Sequence, residues 1–149
     1  MANSWVCVDA SLVIKLVVEE AYSPEARALW RVWLHEGRNI AAPPLLRYEV
    51  TSVLRKHIVR GLRTVTESRQ ALDMALSFDI QYLEPANFHR RAFDWADSLG
   101  RPATYDTHYL ALAEYLACDF WTADERLVNA VQSAFPWVKW LGQVESRPS

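Results

Sequence analysis

Apolar and polar positions change period along this chain in a regular way. The run Val6-Cys7-Val8 is short and continuous, ends on one carboxylate, Asp9, and gives way at once to helical spacing. Such a run reads as a strand buried on both faces, the kind found at the centre of a parallel sheet. The design returns in Asp119-Phe120-Trp121-Thr122-Ala123-Asp124, where an apolar strand again meets an acid and then a helix. Periodicity and breakers predict further helices over 11–20, 23–37, 45–59, 64–77, 88–99, 105–117 and 125–133, with strands over 39–42, 80–84 and 137–141. Ser23 reads as a cap ahead of Pro24 and Glu25, Pro43-Pro44 as a break, Thr64 with Glu67 as a capping box, and Thr104 as another cap.

This alternation predicts an α/β fold with a central, mostly parallel five-stranded sheet and helices on both faces. It is expected to form a single domain over 1–144, followed by a polar tail at 145–149. Open α/β sheets place ligands at the carboxyl ends of their strands. The two acid-ended strands are therefore expected side by side, presenting Asp9 and Asp124 to one cleft.

Composition narrows the chemistry. The chain has only four glycines in 149 residues, and neither GxxxxGK[ST] nor GxGxxG occurs, so a phosphate-cradling glycine loop is not expected. Cys7 and Cys118 are the only cysteines and fall in or beside apolar runs, so both are read as small packing residues. Zinc-ligand spacing is absent. The net charge of −2 argues against a general polyanion binder, though not against an enzyme with a local basic rim. The apolar N-terminal stretch is too short and too charged to cross a bilayer and lacks the basic start of a secretory signal, so a cytoplasmic location and no membrane partner are expected.

Four carboxylates qualify by position: Asp9 and Asp124 after strands, and Glu49 and Asp106 in the first turns of helices. In an α/β sheet all of these lie at one edge, and carboxylates gathered there repel one another. A hard divalent cation relieves that repulsion, and Mg²⁺ keeps several waters beside its oxygen ligands. Ser11 and Thr122 each lie two residues from an acid, where a hydroxyl can orient a carboxylate or a bound water. The histidines His35, His57, His89 and His108 are read as surface residues, with His108 retained for its closeness to Asp106. With no Gly-x-Ser-x-Gly elbow or Ser/His/Asp grouping, the remaining chemistry is metal-assisted attack of water on a phosphodiester. A dehalogenase-type phosphotransferase needs a second Asp where Ser11 stands. A receiver domain needs an Asp at a strand that here ends in Glu84-Pro85.

Val8-Asp9-Ala10-Ser11, Tyr48-Glu49-Val50, the stretch Tyr105-Asp106-Thr107-His108-Tyr109-Leu110-Ala111-Leu112-Ala113 and Trp121-Thr122-Ala123-Asp124-Glu125-Arg126-Leu127 together resemble the four acidic motifs of the PIN-domain family. Their order and spacing are most similar to the VapC-like toxin ribonucleases of toxin–antitoxin pairs. The resemblance implies an endoribonuclease dependent on Mg²⁺ or Mn²⁺, usually a homodimer and held inactive by an antitoxin protein. It makes Asp9, Glu49, Asp106 and Asp124 the catalytic and metal-binding quartet, with Ser11 and Thr122 in support. Where some relatives carry a further acid, this chain has Asn129. The alternatives are an RNA-processing nuclease of the same family without an antitoxin, and a module that keeps the fold to bind RNA or protein without cutting.

Arg47, Arg55 and Lys56, with Arg60 and Arg63 beyond, lie on and after the helix that bears Glu49. They are read either as a solvated face or as a track for RNA phosphates, Arg47 being the candidate nearest the acid. Trp30 and Trp33 are read either as core or as a groove for a partner helix or a second copy.

Overall fold

A computed structural model describes residues 4–144. The polar tail expected at 145–149 lies outside the described residues. The strands are β1 (Trp5–Val8), β2 (Asn39–Ala42), β3 (Gln81–Tyr82), β4 (Phe120–Thr122) and β5 (Val138–Trp140). The helices are α1 (Ala10–Val17), α2 (Ser23–His35), α3 (Leu45–Val59), α4 (Val65–Ser77), α5 (Phe88–Ser98), α6 (Tyr105–Leu116) and α7 (Glu125–Val131). The five strands form one sheet in the order β3-β2-β1-β4-β5. Every strand pair is parallel, so the sheet is wholly rather than mostly so.

The order places β1 beside β4, with Cys7 opposite Phe120 and Val8 opposite Trp121. Chain order runs outward through β2 and β3 on one side of β1 and through β4 and β5 on the other. A reversal of this kind is a topological switch point, where a crevice opens at the carboxyl ends of the two strands. Val6, Cys7 and Val8 are all buried. Since successive strand residues point to opposite faces, burial of all three means that the sheet is covered on both. Helix α1 packs against α2, α3, α4 and β4, while α6 packs against α5, β1 and β4. Cys7 and Cys118 are buried free thiols, as their apolar neighbours imply.

Several elements begin or end differently from the sequence pattern. Helix α1 stops at Val17 because Val18 turns extended, its N–H still reaching the Ile14 carbonyl at 3.0 Å. Ser23 does not cap α2; Tyr22 does, in the left-handed region at φ 69°. The Ser23 hydroxyl instead staples the preceding turn, donating to the Val18 carbonyl and accepting the Glu20 N–H. The capping box of Thr64 and Glu67 forms as its spacing predicts. Thr104 contributes its carbonyl rather than its hydroxyl, accepting from Thr107 Oγ1 at 3.0 Å and His108 Nδ1 at 2.5 Å. Strand β3 keeps only two residues, an edge whose last contact is Leu83 N–H to the Ala42 carbonyl.

Candidate active site

The β1–α1 junction positions Asp9. Its backbone is extended while the next residue is already helical, so its side chain caps α1 by accepting the Leu12 N–H at 3.1 Å. The same oxygen accepts the Ser11 hydroxyl at 2.7 Å, and the other accepts Thr122 Oγ1 at 2.5 Å. The two hydroxyls are tied to β4 in turn. Ser11 accepts the Ala123 N–H at 2.9 Å and Thr122 accepts the Asp124 N–H at 3.0 Å. Asp9 is only 8 % exposed. Burial pushes its carboxyl from the ordinary 3.8 up to about 6, with the charge of Glu49 adding to the rise and the three donors opposing it.

Asp124 repeats the first half of this arrangement. It caps α7, accepting the Leu127 N–H at 3.2 Å, but its side chain is exposed and, among the described residues, no hydroxyl meets it. Its backbone N–H joins it to Asp9 through Thr122.

Glu49 lies in the second turn of α3, half-buried at the margin of the core stripe formed by Leu46, Val50 and Leu54. Burial raises its carboxyl, the Asp106 charge adds to that, and a hydrogen bond from Tyr109 opposes it. That bond, from the tyrosine hydroxyl to Glu49 Oε1, is 2.6 Å long. Tyr109 is buried, and burial with the neighbouring carboxylate charge holds its hydroxyl protonated far above the usual tyrosine range, so it is a permanent donor. Its ring stacks on Phe120 of β4, with centroids 5.7 Å apart and planes 12° off parallel. Asp106, in the first turn of α6, pairs with Arg101 at 3.1 Å.

Asp9 and Glu49 thus feel each other, as do Glu49 and Asp106, while Asp124 joins through Thr122. The cage of four ligands implied by the motif resemblance is not formed by the side chains as they stand. Among the described residues, no three Asp, Glu, His or Cys side chains gather closely enough to hold an ion. The reason lies in the partners: Asp106 is turned to Arg101, Glu49 to Tyr109, and Asp124 to the start of its own helix.

Sequence reasoning missed Tyr109 and Arg101. Tyr109 follows Asp106 by three residues, a helical same-face spacing that points to the acidic edge, but its apolar neighbours made it look like plain core. Arg101 sits in the turn before α6, where only the fold shows that it returns to Asp106.

The basic residues divide. Arg47 and Glu49, two apart, are separated by about 200° around the helix. Arg47 accordingly stacks on Tyr82 of the edge strand, 4.2 Å from the ring centroid, on the other flank of α3. Arg55 and Lys56 are exposed. Lys56 shares the flank of Glu49 two turns farther on, while Arg55 faces away. Trp30 and Trp33 belong to the core, at 8 % and 4 % exposure. Trp30 packs on Phe78 and Trp33 on Trp121, so neither lines a groove for a partner. Two histidines also depart from a surface role: His57 is buried in the α3 stripe and His108 is half-buried against His89.

With this geometry in place, the sequence profile of the PIN domain matches residues 6–131, a span from β1 through α7. The chain belongs to the PIN-domain family. Its five-stranded all-parallel sheet is consistent with the PIN fold, a nuclease-type fold, and PIN domains are generally nucleases that typically use divalent metals. A comparison with curated proteins finds no match. Among the described residues, no helix is long and apolar enough to cross a membrane.

Proposed function

We propose that this PIN domain is an endoribonuclease dependent on Mg²⁺ or Mn²⁺ that hydrolyses RNA phosphodiester bonds, and that it serves as the toxin of a toxin–antitoxin pair. The observation that carries the reading is Asp9. A carboxylate is kept buried at the switch point, held by three donors and raised to about 6 with Glu49 nearby. A carboxylate buried in this way costs the folded chain stability near neutral pH, a cost that a bound cation would offset.

The donor set suits a hard ion, being carboxylate and hydroxyl oxygen without thiolate or a histidine cluster. Mg²⁺ is commonly held by one or two carboxylates, with water and substrate oxygens completing its shell. Asp9 would be the anchoring ligand, with Glu49, Asp106 and Asp124 as the neighbouring carboxylates. When bound, the ion supplies activation of water and neutralisation of phosphate charge. Ser11 and Thr122 fix the face that Asp9 presents, and Tyr109 holds Glu49. Lys56 and Arg60, exposed along the Glu49 flank, are placed to draw RNA phosphates toward the acids.

The toxin role and a homodimer are supported by the motif order and by exposed apolar side chains at Val59, Leu62 and Val65, where α3 turns into α4. The experiment incubates the purified chain with a mixed pool of structured RNAs in Mn²⁺, in Mg²⁺ and in EDTA. Cleavage with either metal and none in EDTA is expected, whereas equal cutting in EDTA removes the metal role. Expression in bacteria should arrest growth in a way that Asp9→Asn relieves, and arrest unaffected by that change removes the toxin reading.

A further inference from the structure

Beside the acids lies a cavity of about 310 Å³, at the lower end of the roughly 300–1,000 Å³ usual for small-ligand pockets. It is framed by the first turns of α3 and α6 and by the connection from β3 to α5. Tyr48 and Tyr105 line it, 73 % and 61 % exposed. Each immediately precedes an acid, Glu49 or Asp106. Consecutive helical residues diverge by about 100°, so each acid turns toward the sheet edge while its tyrosine stays in solvent. Neither tyrosine has a hydrogen-bond or ring partner among the described residues.

The wall behind them is already ordered. Phe88 is buried, and its ring meets His89 and His108 edge-on at 5.2 and 5.0 Å. His108 Nδ1 lies 2.5 Å from the Thr104 carbonyl, which can only accept, so that nitrogen carries the proton. In the neutral ring, Nε2 is then left to accept from His89 Nδ1 at 2.9 Å. Glu84 completes the lining with a carboxylate that has no hydrogen-bond or ion-pair partner among the described residues. Aromatic faces with a carboxylate acceptor suit a flat heterocycle that carries N–H groups. A phosphate is disfavoured here by Glu84 and by the neighbouring acids.

We infer that this cavity seats an unpaired RNA base next to the bond that is cut, and that Glu84 selects a base with N–H groups on its pairing edge, guanine foremost. Guanine offers N1–H and N2–H side by side to the two carboxylate oxygens, while uracil turns carbonyl oxygens toward the same place. Stacking on Tyr48 and Tyr105 supplies affinity for any base, and Glu84 supplies the preference. The inference rests on the reading of the acidic edge as an RNA-cutting site.

The test measures binding of the full chain in EDTA, by fluorescence anisotropy, to a short oligouridine and to the same strand with one central guanine. The guanine strand is expected to bind about tenfold tighter. Tyr48→Ala and Tyr105→Ala should each weaken both strands about tenfold, and Glu84→Gln should equalise the two strands. All three side chains are exposed, so each variant should melt with the parent, which circular dichroism checks. Equal affinity of the parent for both strands, or a double tyrosine variant that binds as the parent does, overturns the inference. So does Glu84-dependent binding of an arginine-rich peptide with RNA binding indifferent to all three changes, which assigns the cavity to a protein partner. Cleavage in Mn²⁺ without a guanine preference removes the cavity alone, and a guanine preference in EDTA with no cleavage in Mn²⁺ removes the nuclease reading alone.

Discussion

Asp9 and Asp124 stand at two junctions built to one plan. Each ends a parallel strand, caps the helix that follows, and accepts an N–H three residues on, at 3.1 and 3.2 Å. At Asp9, Ser11 and Thr122 close over the carboxylate and the core excludes water. At Asp124 the side chain stays in solvent, with its cap bond alone among the described residues. The local motif therefore sets where an acid sits. Its electrostatic state is set by what a remote strand brings to it, and Thr122 is 113 residues from Asp9.

The contrast is tested most strongly by replacing each acid. Asp9→Asn should lower metal-dependent RNA cleavage by about a thousandfold, the size expected when several kcal/mol of charge stabilisation is lost. Asp124→Asn should cost about tenfold to a hundredfold in the same assay. Equal losses would mean that burial does not distinguish the two junctions.

The next effect is on stability. With its carboxyl raised from 3.8 to about 6, Asp9 binds its proton more tightly in the folded chain than in the unfolded one. Its contribution is most favourable below pH 3.8 and is lost as pH rises through about 6, a change of about 3 kcal/mol in all. Without metal, Asp9→Asn should therefore melt above the parent at pH 7, with the gap closing toward pH 4. Mn²⁺ should raise the parent's melting temperature more at pH 7 than at pH 5 and leave the variant nearly unmoved. Parallel melting curves across that range would show that the carboxylate carries no such burden.

Thr122→Val probes the link between the junctions, since one hydroxyl both donates to Asp9 and accepts from the Asp124 N–H. It should destabilise by about 1–2 kcal/mol in urea and move the acidic limb of the activity profile to higher pH. The smallest effect concerns the cap. Asp124→Ala should cost about 1 kcal/mol, while Asp124→Asn should cost almost nothing because asparagine caps equally well.

How much of this was legible follows from where each determinant lies. The limits of α3 could be read from Pro43-Pro44 before it and Gly61 after it, and the start of α4 from Thr64 and Glu67, because breakers and caps act within a few residues. The pairing of β1 with β4 was legible because both are apolar runs that end on an acid. What escaped depends on contacts across the fold. Tyr109 meets Glu49 over 60 residues, while Arg101 reaches Asp106 over five but from an irregular connection with no readable period. Helical spacing put Trp30 and Trp33 on one face, but Phe78 and Trp121 decide that this face is interior. Adjacency in sequence misled for Arg47, which the turn of the helix carries to the opposite flank from Glu49.

The strand order has a consequence for the chain while it is being made. As the polypeptide leaves the ribosome, β1, β2 and β3 can meet early, yet the other edge of β1 stays bare until Phe120–Thr122 emerges. The Thr122 hydroxyl and the Tyr109–Phe120 stack arrive with that segment, so Asp9 is locked in place only by a strand 113 residues farther along the chain. Assembly order is thus set by the topology: the carboxylates gain their fixed surroundings only when the second acid-ended strand docks on β1.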